Sequence, residues 1–324
     1  MFKNLCRILP VVLILVCSVA IVAAPVDLKL KFRKGETFEQ SIQIKNKGTM
    51  GPEGTQMPID TLMKMRLAFD VLEVNGDQSA QLKSSMKELK ISGMPMVQGE
   101  VDYAEVLGLK DQSVELTVDN RGHVTTKEGA GALGGSGAMP GSPMSNSGQF
   151  DYFPALPDHP VEVDETWVNE KKVQLPGASV EGVNREEYVL RGIKEWNGIQ
   201  VAVIGMKSKA EVKDATMSME SPGSMGAEVQ MTYCINSMNT EKEGEMLMDV
   251  EKGRLLGADL VIKTRGDISI STGVQGESFP STIKTTSNMD TDVVYRYGEE
   301  ETPDLSSLYT KREEPTEQNQ STTK

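Results

Sequence analysis

The chain has 324 residues, enough for one large domain or two of ordinary size, with a core that needs no disulfide or metal staple. Its 34 basic residues face 47 acidic ones, a formal charge of −13, which excludes the broad basic surface of a nucleic-acid binder. Two histidines and three cysteines leave little for a metal centre or for Cys/His catalysis, so no cofactor is expected.

Lys3 and Arg7 precede an uncharged stretch, Ile8 to Ala24, that ends in small residues. The positive start, the apolar run and small-x-Ala sites at Ala20 and Ala23 predict an export signal over residues 1–23. Left uncleaved, the same run is long enough to anchor the chain. A lipoprotein reading through Cys17 meets Val16 where a small residue is required. The expected location is periplasmic or extracellular, with membrane contact only through the N-terminal segment. Cleavage leaves one cysteine, Cys234, in the strand-like run Met231 to Ile235, where a buried, inert thiol is expected.

Downstream, apolar and polar residues alternate, the period of strands with one wet face. Met63 to Val74 leads through Asn75-Gly76 into Gln78 to Ile91, and Arg185 to Trp196 leads through Asn197-Gly198 into Ile199 to Val212. Asn-Gly predicts a two-residue hairpin at both places, because both residues accept positive φ. Ser113 to Val118 and Glu245 to Val250 open a second pair of hairpins, turning at Asp119–Gly122 and Glu251–Gly253. The halves also open alike, Lys34-Gly-Glu-Thr-Phe38 matching Val163-Asp-Glu-Thr-Trp167.

This recurring order predicts an all-β chain with little helix: two tandem copies of a curved, twisted antiparallel sheet, residues 24–128 and 151–298. Between them, Gly129 to Gly148 has seven glycines in twenty residues and predicts a flexible linker over 129–150. One or two helical turns are expected within Val101 to Lys110, and a last strand over Thr282 to Tyr297. Residues 299–324 are acidic, then rich in Ser, Thr, Gln and Pro, and predict a disordered tail.

No constellation of residues predicts catalysis. His123 follows a turn glycine and His159 sits in Leu156-Pro-Asp-His-Pro160; both read as surface residues, without an accompanying nucleophile motif. Glu186-Glu187 reads as a solvated strand face, and the two cannot line one site because strand neighbours point to opposite faces. A hydrolase using carboxylates from different strands stays open as an alternative. Methionine is abundant, at 19 residues. Met94-Pro-Met96 and Met217-Ser-Met219 follow the two long hairpins, and four thioethers there would suit Cu(I), a second alternative. Met50, Met57, Met139, Met144 and Met225 fall in Gly/Pro-rich stretches read as loops, where methionine makes an adaptable apolar rim.

Phe153-Pro-Ala-Leu-Pro157, Pro160-Val-Glu-Val163 and Glu165-Thr-Trp167 together resemble the hallmark of an uncharacterised family of exported bacterial β-proteins. That family also has an early Gly-Glu-x-aromatic step, here Gly35 to Phe38, and a late Asp-x-x-x-Gly hairpin, here Asp249 to Gly253. Asp164-Glu165 stands where the family more often has Gly-Asp. The resemblance implies export and a repeated β-fold over residues 27–298; it implies no activity and assigns no site residues.

On the residues alone, Pro154, Pro157 and Pro160 stiffen an extended connector, and Phe38 and Trp167 are expected to plug the two cores. Leu255 to Ile262, apolar on both faces, is the strand best suited to line a cavity. The function expected is that of an exported non-enzymatic β-protein at the cell envelope. It would bind a lipid or other apolar ligand, or a protein partner, and no nucleic acid.

Overall fold

A computed structural model describes residues 24–52, 54–93, 99–106, 108–110, 112–126, 153–174, 181–222, 228–274, 281–298 and 307–309. The expected export signal and linker, and most of the tail, lie outside the described residues, as do Met94, Met96, Met139, Met144 and Met225. The elements in chain order are β1 (Thr37–Pro52), β2 (Met57–Val74), β3 (Ala80–Ser92), β4 (Val101–Asp102), α1 (Tyr103–Val106), β5 (Ser113–Val118) and β6 (Val124–Thr126). The second half adds β7 (Thr166–Gln174), β8 (Glu181–Trp196), β9 (Ile199–Pro222), β10 (Glu228–Asp249), β11 (Arg254–Val274) and β12 (Ser281–Tyr297). Met50 and Met57, read as loop residues, pair with each other across β1 and β2.

All the strands belong to one antiparallel sheet in the order β6-β5-β3-β2-β1-β12-β11-β10-β9-β8-β7, with β4 beside β3. Two meanders are joined into one continuous sheet where β12 pairs with β1, from Gln40↔Tyr297 to Pro52↔Thr285. The likeness between the halves is sharpest where each begins. Gly35 N–H donates to Val71 O at 2.9 Å and Val71 N–H to Glu36 O at 2.8 Å; Asp164 N–H donates to Leu190 O at 2.7 Å and Leu190 N–H to Glu165 O at 3.1 Å. Gly35 and Asp164 both hold positive φ, 79° and 67°. Beyond this the halves diverge: β5 and β6 have 6 and 3 residues, whereas β10 and β11 have 22 and 21.

The two Asn-Gly turns differ. Asn197 and Gly198, at φ 49° and 78°, form the expected two-residue hairpin. At Asn75 the turn runs to Ser79, with Gln78 at φ 67°. Asn75 Nδ2 donates to Ser79 Oγ at 2.8 Å, and Ser79 N–H donates to Asp77 Oδ1 at 3.0 Å. These local side-chain bonds offer the backbone a longer turn than Asn-Gly alone would set.

One core draws on both halves. Ile42, Leu67, Phe69, Leu82 and Val118 share it with Trp167, Tyr188, Ile204, Met248, Leu260 and Tyr295. The N-terminal segment supplies Leu28 and Leu30, and the connector supplies Phe153, Ala155, Leu156 and Val161. Leu156 N–H donates to Arg121 O at 2.8 Å beside β6, while Trp167 Nε1–H on β7 donates to Ala155 O at 2.9 Å. The connector therefore bridges the two outer edges of the sheet at this end. Trp167 is buried as expected, and stacks on Tyr188 at 5.5 Å, but in the first half the fully buried ring is Phe69, and Phe38 stacks on it half-buried. Curling so long a sheet forces backbones together: a Cβ on Gly244 would sit 2.1 Å from Asp259 O, and one on Gly48 2.1 Å from Asn288 O.

The exposed face has its own order. Paired residues run Glu170, Arg185, Lys209, Glu241, Lys263, Asp290, Lys47, Asp60 from β7 to β2, one exposed charge on each strand. Charges of opposite sign face each other at every step except Arg185–Lys209, an arrangement that favours strand pairing in water. A lipid-facing band would be apolar at this level, since cations there cost about 2–4 kcal/mol each at a bilayer midplane.

Candidate functional site

The buried face is layered. One row of paired residues reads Leu190, Ile204, Met246, Ala258, Tyr295, Ile42, Met65, Leu89, and the next reads Trp167, Tyr188, Met206, Gly244, Leu260, Val293, Ile44, Met63, Ile91. Neither contains a charge. Two residues further along each strand the row becomes Asn169, Glu186, Ser208, Lys242, Ile262, Thr291, Asn46, Thr61. Seven of these eight residues are polar, so a polar belt, interrupted at Ile262 on β11, crosses the face that otherwise builds the core.

Its centre is Glu186, fully buried on β8. Oε2 accepts from Asn169 Nδ2 at 3.0 Å and from the Tyr188 hydroxyl at 2.9 Å, with Lys171 Nζ 3.5 Å away. Oε1 accepts from Asn184 Nδ2 at 3.3 Å, and Asn184 Oδ1 in turn accepts from Ser208 Oγ at 2.7 Å. Burial by itself would raise the carboxyl pKa. Lys171 and Lys242, with the bonds from Asn169 and Tyr188, outweigh that and hold it below the usual carboxylate range. At the other end of the belt Thr291 Oγ1 donates to Asn46 Oδ1 at 2.8 Å and Asn46 Nδ2 to Thr61 Oγ1 at 3.1 Å.

Past the belt the same face turns apolar again. Val212, Ala215, Ile235, Met238 and Met289 are all buried there. Ser287 is buried among them in the row Val212, Met238, Gly266, Ser287, Met50, Met57, and among the described residues its hydroxyl has no hydrogen-bond partner.

The structure corrects the reading of Glu186 as solvated; only Glu187 is exposed. Neither residue type nor spacing marks Glu186 in the sequence, because its partners come from β7 to β10 and meet only through register. His123 and His159 are surface residues, as expected. His159 Nδ1 nevertheless meets Asp158 Oδ1 at 2.8 Å and Nε2 meets Glu165 Oε1 at 2.9 Å. Those two carboxylates raise the imidazole pKa and occupy both nitrogens, so neither is free to serve as a base. Cys234 is half-buried, not buried, with the Thr216 hydroxyl 3.9 Å from Sγ. Of the copper candidates, Met217 and Met219 lie on β9 in register with Tyr233 and Met231, while Met94 and Met96 fall outside the described residues. Among the described residues no group of His, Cys, Asp and Glu side chains is placed to hold a metal.

A second apolar cluster lies on the exposed face. Val201, Val203 and Leu247, with Trp196, Ile199 and Leu256 beside them, are covered by Leu308 and Tyr309. Within the tail, Ser307–Tyr309 are thus seated on the sheet. Lys194 Nζ donates to Leu308 O, and the Arg296 guanidinium lies 5.7 Å from the centre of the Tyr309 ring. Burial pushes the Tyr309 phenol pKa up to about 12. The two-faced apolar run at Leu255–Leu256 has its explanation here: one side enters the core and the other meets the tail.

No family model matches this chain, and no curated protein matches it. Two mutant forms of a porin from Rh. blastica match at 10% and 8% identity, covering 80% of this chain and 99% of theirs, each with a TM-score of 0.19. A score that low carries nothing about this chain.

Proposed function

We propose that the chain is an exported, non-enzymatic β-protein that binds an apolar or amphipathic ligand on its buried face, at the cell envelope. The observation that carries this reading is the layering: a charged belt with apolar residues on both sides. Folding needs the apolar rows below the belt, which pack on the connector and the N-terminal segment. It does not call for a second apolar layer beyond a buried charge cluster, with a buried hydroxyl left unpaired. An amphipathic molecule fits that order, its polar group at Lys171 and Lys242 and its apolar part along Val212, Met238 and Met289. Methionine suits such a lining because its thioether chain adapts its shape to what it meets.

Native mass spectrometry on the mature chain, purified gently from its own host, tests this. A stoichiometric apolar adduct is expected, lost when Met238 and Val212 are both replaced by Trp to fill the layer. A clean mass for the unmodified chain would overturn the ligand reading. It would leave the second one, a protein partner at the apolar patch that Leu308 and Tyr309 cover.

A further inference from the structure

A separate recess lies where the N-terminal segment crosses the β10–β11 turn. Lys31, Phe32, Arg33, Glu251, Lys252 and Arg254 line it, around ≈ 330 Å³. Four cations are gathered here, with Glu251 the one carboxylate of the lining and Glu36 and Asp249 beside it, in a chain whose total charge is −13. We infer that Lys31, Arg33, Lys252 and Arg254 form an anion-binding cup for a phosphate group.

The backbone builds the cup. Gly253 holds φ +60°, and a Cβ there would stand 2.4 Å from Lys29 O and 2.6 Å from Lys31 Cγ. Only glycine lets the N-terminal segment lie this close, and Lys31 N–H then donates to Gly253 O at 3.1 Å. Lys31 Nζ is turned inward by donating to Glu251 O at 2.8 Å. Arg254 is held by its ion pair with Glu36.

Glu36 pairs with Arg254, but the other cations have no close carboxylate among the described residues. Among the described residues the Arg33 guanidinium has no carboxylate partner, and Lys252 Nζ reaches only to 3.9 Å from Asp249 Oδ2. Burial and the charge of Arg33 lower the pKa of Arg254, so like charges press on each other across the recess. Bringing four cations to one place costs free energy that an anion would return. The Arg33 guanidinium fork and two ammonium groups, beside the Glu36-paired Arg254, match the oxygens of a phosphate, and Phe32 gives an apolar wall for whatever the phosphate is attached to.

The test measures inorganic phosphate binding to the mature chain by calorimetry, with chloride balancing ionic strength, beside flotation with phosphatidylcholine vesicles with and without phosphatidic acid. The variant is Arg33→Gln with Lys252→Gln, both exposed; Lys209→Gln with Lys263→Gln on the charged outer row is the control. Saturable phosphate binding that weakens roughly tenfold or more in the cup variant and not in the control is expected. Flotation that requires phosphatidic acid and is lost in the cup variant would support the cup with a lipid headgroup as the source. Phosphate binding without flotation would support it with a free phosphate compound. No saturable binding, or equal binding by wild type and cup variant, would overturn it, provided melting in chloride shows both chains folded.

Discussion

Glu186→Gln takes one charge out of the buried belt while keeping its volume. Glu186 accepts hydrogen bonds from Asn169, Asn184 and Tyr188, with Lys171 Nζ 3.5 Å from Oε2. Glutamine keeps one acceptor oxygen and turns its NH2 group toward donors that then have nothing to meet. Hydrogen bonds to a charged group contribute about 1.5–3 kcal/mol, and removing one partner of a buried pair costs about 3–5 kcal/mol. Lys171 is one-third exposed, so water makes good part of its loss, which puts the net destabilisation near 2–3 kcal/mol at pH 7. In a chain of this size that corresponds to a melting temperature lower by roughly 4–12 °C. Because the folded-state pKa is depressed, the contribution is complete above the ordinary value of 4.5 and is lost as pH falls through the folded value. Denaturant titrations of both proteins, stepped from neutral to acid pH, should show a gap that closes on acidification. Equal stability at pH 7, or a gap that does not change with pH, would refute the account.

Trp167→Ala should cost about 3–5 kcal/mol by chemical denaturation, since it removes a buried ring stacked on Tyr188 and strands the carbonyl of Ala155. Trp167→Phe should restore the packing and only part of the stability; an unchanged transition in the alanine variant would take Trp167 out of the core. Leu308→Ala should cost about 2 kcal/mol and raise dye binding to the uncovered Val201, Val203 and Leu247. No change in either would mean that the tail is not seated in solution.

Period and turn chemistry made the strands readable. Arg185 to Trp196 and Ile199 to Val212 flank Asn197-Gly198, so the β8–β9 hairpin followed from that local turn signal. The β12–β1 pairing did not, because it joins residues some 245 positions apart, such as Asn46 and Thr291, and no local signal reports such a partner. Glu186 was misread for the same reason. Alternation places it on one face of β8 and Glu187 on the other, but which face is wet depends on what the neighbouring strands bring. Here β7, β9 and β10 bring Asn169, Ser208 and Lys242 to the inner side. The apolar pair Leu255–Leu256 shows the converse. Two apolar faces were visible in the sequence, yet a cavity and a covering segment leave the same pattern, and the cover came from Leu308, in a stretch too polar to suggest it.

The belt is also a poor device for stability alone. A buried carboxylate with two lysines gains Coulomb energy but loses hydration on all three groups, and well-packed apolar residues of similar size commonly do as well or better. The rows on either side of Glu186 show that this sheet accepts such residues: Tyr188 and Leu190 build the core on the same face of the same strand, and Val212 and Met238 resume an apolar surface beyond the belt. Placing Asn169, Glu186, Ser208 and Lys242 between them interrupts a core that could have continued. The interruption spans Asn46, Thr61 and Thr291 as well, on strands far away in sequence and joined only by register. On the reading proposed above, the polar group of a bound molecule would meet this level at Lys171 and Lys242, with its apolar body along Val212 and Met238.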